Sequence, residues 1–172
     1  MEYRKKLLKM IDDFNVDSVE EFKEAENRIV ADSKFRQITK KKDYDGHVKM
    51  LRTVKAKAQK IEPNTIVIPP EDAEATELRK AFERCLVIFS GVCDSYIQLQ
   101  TTLKEKSEGV KIKFGTYKEF NNKVRFARAS MNEIMHQMDV LYADLLESIE
   151  DSRELKEEEL GGVKYRTYDS FQ

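Results

Sequence analysis

Apolar residues recur every three or four positions along two long segments of the chain. This spacing places them along one side of an α-helix. In the second segment it persists over more than four heptads, as in a coiled coil or a helical bundle. The pattern therefore predicts two long helices, over residues 71–107 and 116–159. The repeating residues of the second are Tyr117, Phe120, Val124, Ala127, Met131, Ile134, Met138, Leu141, Leu145 and Ile149.

The link between the two helices, Glu108 to Gly115, is short, so they must run antiparallel as a hairpin. Residues 85–93 of the first helix are apolar on almost every side, which predicts that other helices surround them. Nine residues fall far short of the roughly 20 needed to cross a bilayer. No other stretch is long enough to span one, and we predict no membrane contact.

Three shorter helices are expected before the hairpin. Residues 2–14 form the first, and Asn15-Val16-Asp17 is expected to break it. Ser18 and Glu21 have the spacing of a capping box and open the second helix, which runs to about residue 33. The third, about 45–61, is expected to bury Val48, Leu51, Val54, Ala58 and Ile61.

These elements define an all-α fold, an elongated helical bundle built on the long antiparallel hairpin. We predict one domain over residues 1–160, comprising N-terminal helices in 1–62 and the hairpin in 71–159, followed by an extended or disordered tail, 161–172. Two short stretches have β-like patterns, Thr65–Ile68 and Val110–Phe114. They are either loops that cross helix ends or strands. If one pairs within the chain, we expect Ile66–Ile68 to pair with Val163–Tyr168.

The composition supports a helical, intracellular protein. Charged residues make up 37% of the chain, and there are only 3 prolines and 6 glycines. The net charge of −1 makes neither a polyanion nor a polycation an obligatory partner. Cys85 and Cys93 lie eight positions apart on one helix, about 12 Å along its axis, too far for a disulfide. They are expected to be buried core residues in a reducing compartment, the cytoplasm.

Motifs for catalysis or cofactor binding are not evident. Glu133 and His136 have the Glu-x-x-His spacing of di-metal helical bundles, but the other histidine, His47, has Tyr44 at the matching position. The glycines do not form a phosphate-binding loop. We therefore predict no catalytic residue, no metal site and no cofactor.

Charge is segregated along the sequence. Residues 34–60 carry ten basic and two acidic side chains, whereas residues 139–159 carry nine acidic and two basic ones. Three interpretations remain open. The two blocks face each other in the bundle, or the basic block binds nucleic acid phosphates, or the blocks meet between subunits or each holds a protein partner.

The most favoured function is a non-catalytic protein-binding module, such as an adaptor, inhibitor or assembly component, whose partner is another protein or a second copy of this chain. The candidate contact residues lie on the last helix and on the tail, and they are Arg125, Arg128, Asn132, Asp139, Tyr165, Tyr168 and Phe171. The alternative is a nucleic-acid-binding module. Its candidate residues belong to the basic block, and they are Lys40, Lys41, Lys42, Lys49, Arg52 and Lys55.

Overall fold

The computed structural model describes residues 2–34 and 42–160, which contain five α-helices and no strand. The helices are α1 (Glu2–Phe14), α2 (Glu20–Lys34), α3 (Tyr44–Ala58), α4 (Ala73–Ser107) and α5 (Thr116–Leu160). The all-α bundle is confirmed, and α4 and α5 match the two predicted long helices closely. The predicted tail, 161–172, lies outside the described residues.

The hairpin of α4 and α5 is the centre of the fold. Asp72 caps the start of α4 by accepting a hydrogen bond from the Ala75 N–H at 3.1 Å. At the other end, Gly109 and Gly115 have φ values of +88° and +91°, a region that glycine enters without strain. These two glycines bracket the loop that reverses the chain. The buried residues of α5 follow the repeat read from the sequence, and they are Val124, Met131, Ile134, Met138, Leu145 and Ile149.

An aromatic cluster fixes the N-terminal helices against α4. The Phe14 ring meets the edges of Phe82 and Phe89 at centroid distances of 5.5 and 5.2 Å. Phe22 of α2 packs in the same edge-to-face manner on Phe89 and on Tyr96, at 5.5 and 5.6 Å. Such pairs add about 0.5–1.5 kcal/mol each beyond the area they bury. Successive rings therefore attach both α1 and α2 to the same side of α4.

The prediction that helices surround residues 85–93 is wrong for one side of α4. Cys85, Phe89, Val92 and Cys93 are fully buried, but Val87 is 73% exposed. The reason is geometric. Helices α1, α3 and α5 pack on α4, as does Phe22 of α2, and an outer strip that includes Val87 remains in solvent.

The predicted break after α1 is also wrong. Asn15–Val19 continues the helix as a π-helical turn, in which the Glu20 N–H donates to the Asn15 carbonyl five residues back. Ser18 therefore does not cap α2; it is 1% exposed and faces the interior. A π-turn holds one residue more than an α-turn, so it rotates the apolar side of α2 relative to that of α1 without interrupting the chain of helical residues.

The connections differ from the predictions in detail. Helix α3 ends at Ala58, earlier than expected, and buries His47 where Val48 was predicted. The two β-like stretches form no strand. One follows a 3₁₀ turn at Pro63–Thr65 and buries Ile66, and the other is the hairpin loop. The suggested partner of the first, Val163–Tyr168, lies outside the described residues.

Candidate functional site

A groove of about 540 Å³ runs between α2 and α5 over the C-terminal half of α4. Its floor is apolar, formed by the buried side chains of Leu99 and Val124. Tyr44 of α3 and Tyr117 of α5 stand beside the floor as aromatic walls, and Tyr117 is 49% exposed. We call this feature the α2–α5 groove.

The polar rim of the groove comes from α5. Residues three, four or seven positions apart on a helix share a face, and Asn121, Arg125, Arg128 and Asn132 have these spacings. Three of the predicted contact residues, Arg125, Arg128 and Asn132, therefore line one groove. Asp139 is exposed further along α5 and does not line it. The predicted tail residues Tyr165, Tyr168 and Phe171 lie outside the described residues.

Arg128 differs from Arg125 because it is already engaged within the fold. Its Nε lies 2.9 Å from Oε1 of Glu26, and its guanidinium lies 5.7 Å from the centroid of the Phe22 ring. The Tyr96 hydroxyl donates to the same Glu26 carboxylate. Burial, and then this carboxylate, raise the pKa of Tyr96, so it stays a neutral donor. Arg128 thus holds α5 against α2, whereas Arg125 is exposed at the rim.

A polar cluster, in which His47 and Gln100 are buried and Asp32 is partly exposed, closes one end of the groove. The His47 ring lies with Nε2 3.0 Å from Oδ2 of Asp32 and Nδ1 3.0 Å from Oε1 of Gln100. The cluster therefore joins α3 to both α2 and α4. Sequence reasoning missed it, although a signal was present: His47, Leu51, Val54 and Ala58 have the spacing of one buried stripe.

No protein-family model, curated protein or solved structure matches this chain.

The Glu133–His136 pair does not form part of a metal site in the described residues. Both side chains point to solvent, and no group of three histidine, cysteine or acidic residues stands close enough to hold a metal ion within residues 2–34 and 42–152.

Among the helices that the structure describes, none is long and apolar enough to cross a membrane.

The cysteine thiols are unsuited to nucleophilic chemistry. Cys85 and Cys93 are fully buried, and burial raises the pKa of each thiol to about 12. The Cys85 sulfur lies 3.6 Å from that of Met135 on α5. Both cysteines are packing residues, as the sequence indicated.

The basic block is spread over different environments. Lys40 and Lys41 lie outside the described residues, while Lys42, Lys49 and Arg52 are exposed. Lys55 is held by both carboxylate oxygens of Asp94 at 2.7 Å. Lys57 pairs with Glu21. Within residues 2–34 and 42–152, no ion pair joins the basic block to the acidic block, so the described partners of the basic residues lie on α2 and α4.

Proposed function

We propose that this chain is a non-catalytic protein-binding module that holds a helical or extended segment of a partner in the α2–α5 groove. The observation that carries the proposal is the combination of an apolar floor, aromatic walls and a hydrogen-bonding rim in one groove. Protein interfaces have this anatomy, with an apolar centre that supplies affinity and a polar edge that supplies specificity.

The dimensions of the groove suit a short segment. Its rim on α5 extends from Asn121 to Asn132, about 17 Å at 1.5 Å per residue. That length matches three turns of a helix, the size of segment that amphipathic helices present to a groove. Arg125 and Asn132 offer donors at the rim, while Leu99 and Val124 offer an apolar surface below.

The polar cluster at the end of the groove supports binding without catalysis. A catalytic histidine needs a ring nitrogen within hydrogen-bond reach of the substrate. In His47, both ring nitrogens already lie 3.0 Å from protein oxygens, those of Asp32 and Gln100. The cluster therefore stiffens the groove where three helices meet.

Site-specific photo-crosslinking tests the proposal. A photoreactive amino acid at Arg125 samples the rim, and the same group at Lys80, on the exposed side of α4, is the matched control. In the native host, we expect one discrete adduct from position 125 and none from position 80.

Competition then shows whether the groove itself is used. Ala129 is exposed and lines the groove, so Ala129→Arg fills it without disturbing the core. Excess purified protein should abolish the adduct, and the Ala129→Arg variant should not. Identical adducts from both positions, or full competition by the Ala129→Arg variant, would overturn the proposal.

A further inference from the structure

The loop that joins α4 to α5 displays a fully exposed apolar side chain. Phe114 is 102% exposed, and Val110 at the start of the loop is 51% exposed. Phenylalanine is among the residue types most often fully buried, and Phe114 is the most exposed large apolar side chain among the described residues. The α2–α5 groove does not include Phe114, so its exposure calls for a separate explanation.

The same end of the hairpin is basic. From Lys104 to Lys118 the chain has five lysines and two glutamates. Lys104 is engaged with Asp45 of α3 at 2.8 Å. The exposed lysines on and beside the loop are Lys106, Lys111, Lys113 and Lys118. Lys111 and Lys113 alternate with the apolar residues, so positive charge flanks Phe114 closely.

The loop conformation is well defined by backbone hydrogen bonds. The Val110 N–H donates to the Glu105 carbonyl at 3.0 Å, which closes the end of α4. On the other side, the Thr116 N–H donates to the Lys113 carbonyl at 3.2 Å. With a left-handed glycine at each end, the loop holds Phe114 outward before any partner arrives, which reduces the entropic cost of binding.

We propose that the loop Val110–Phe114 is a docking site for an anionic lipid bilayer, with Phe114 entering the interface and the lysines meeting the headgroups. Phe114 protrudes from the end of the hairpin, so its partner must be deformable enough to surround it. The interface of a bilayer has this property. Anionic lipids complement the surrounding lysines. A single aromatic residue is a poor stacking platform for nucleic acid. The proposal departs from the sequence-based expectation of no membrane contact, which considered spanning segments alone.

Tryptophan fluorescence tests this docking directly because the chain contains no tryptophan. Phe114→Trp places one fluorophore at the end of the loop. Val87→Trp is the matched control, since Val87 is 73% exposed on the middle of α4, about 30 Å along the helix from its end. With vesicles of phosphatidylcholine and phosphatidylglycerol, we expect emission of the first variant to move to shorter wavelength and that of the second to stay unchanged.

Charge variants test the lipid specificity. Each lysine near an anionic surface strengthens partitioning by a factor of about five. In the Phe114→Trp background, Lys111→Gln with Lys113→Gln should therefore weaken vesicle binding about 25-fold. Vesicles of phosphatidylcholine alone should bind far more weakly than the mixed ones. These substitutions lie on exposed side chains, and an unchanged circular dichroism spectrum confirms that each variant is folded.

Several outcomes would overturn the proposal. These are no spectral shift for Phe114→Trp, an equal shift for Val87→Trp, or equal binding after removal of the two lysines. If the protein bound single-stranded RNA tightly and did not bind vesicles, the ligand of the loop would be a nucleic acid and not a lipid bilayer. None of these measurements involves the groove, so the proposal for the loop and the proposal for the groove are tested independently.

Discussion

The Arg4 guanidinium donates hydrogen bonds to both carboxylate oxygens of Asp72, at 2.6 Å from Nε and 2.9 Å from Nη2. Its remaining nitrogen donates to the Ser148 hydroxyl at 2.6 Å. Asp72 also caps α4 and accepts from the Tyr3 hydroxyl at 2.7 Å. One arginine therefore connects α1, α4 and α5 at the end of the bundle opposite the hairpin loop.

Removing the Asp72 carboxylate should destabilise the fold markedly. Asp72→Ala deletes a helix cap and leaves the Arg4 charge, 20% exposed, with only the exposed Glu74 carboxylate as its ion-pair partner, at 3.3 Å. Lost caps and broken buried pairs together suggest a cost of about 3 kcal/mol. The matched control is Glu71→Ala, one position earlier on an exposed side chain, for which we expect a change within about 0.5 kcal/mol. Urea unfolding measures both, and equal effects would contradict the assignment.

The same carboxylate should make stability depend on acid pH. Burial acts to raise the pKa of Asp72, but hydrogen bonds from Arg4, Tyr3 and a backbone N–H outweigh it and hold the pKa below its ordinary value. The unfolded chain then binds the proton more readily than the folded one. The contribution is complete above the ordinary pKa and is lost as the pH falls through the folded value.

Comparing unfolding free energies at about pH 6 and about pH 2 tests this dependence. Asp72→Asn lacks the titrating group, so its stability should fall less than that of the unaltered protein over this range. Parallel curves for the two proteins would show that Asp72 does not titrate differently in the folded state.

Replacing Arg128 should destabilise the fold, whereas replacing Arg125 should not. Arg128→Ala removes one of the two partners of Glu26 and the contact over Phe22, at an expected cost of about 1–2 kcal/mol. Arg125→Ala, three positions away on the rim, should change stability by less than about 0.5 kcal/mol. Thermal unfolding gives both values. If the order were reversed, Arg125 would be the residue that holds α5 against α2.

The hairpin could be predicted from the sequence because the spacing of apolar residues that indicates it is local and repeated. The spacing of Val124, Met131, Ile134, Met138 and Leu145 fixes which side of α5 is buried, and a link of a few residues allows a single arrangement. Each contact follows from positions that are neighbours on one helix. Tyr117 is the exception, because it is 49% exposed and lines the α2–α5 groove.

The groove could be predicted only in part, because it depends on how separate helices pack against one another. Spacing alone placed Arg125, Arg128 and Asn132 on one face, but it did not reveal that Glu26 of α2 meets Arg128. The π-turn is a different case. Asn15 and Asp17 are typical of a helix break, and the polarity pattern does not reveal a change in hydrogen-bond register.

Thiol reactivity tests whether residues 85–93 are core. Because burial raises both thiol pKa values to about 12, neither Cys85 nor Cys93 should react with a disulfide reagent at about pH 8.5, where an ordinary thiol is half ionised. Val87→Cys on the exposed strip of α4 should add one rapidly reacting thiol. In denaturant all thiols should react. Rapid labelling of the native, unaltered protein would contradict the packing of α4.

Deleting one residue from the π-turn should be tolerated, whereas deleting one from α2 should not. A π-turn contains one residue more than an α-turn, so removal of Val16, which is 67% exposed, allows Asn15–Val19 to become α-helical while α1 and α2 keep their contacts. Removal of exposed Lys23 instead rotates the rest of α2 by about 100°.

That rotation separates Glu26 from Tyr96 of α4 and Arg128 of α5, and it turns the apolar stripe of α2, including the buried Ala25, toward solvent. We therefore expect the protein without Lys23 to lose cooperative unfolding, and the one without Val16 to retain it within about 1–2 kcal/mol. Circular dichroism during urea titration distinguishes them. Equal damage from the two deletions would mean that the π-turn is not an extra residue in a continuous helix, because the removal of a true insertion restores the register on both sides of it.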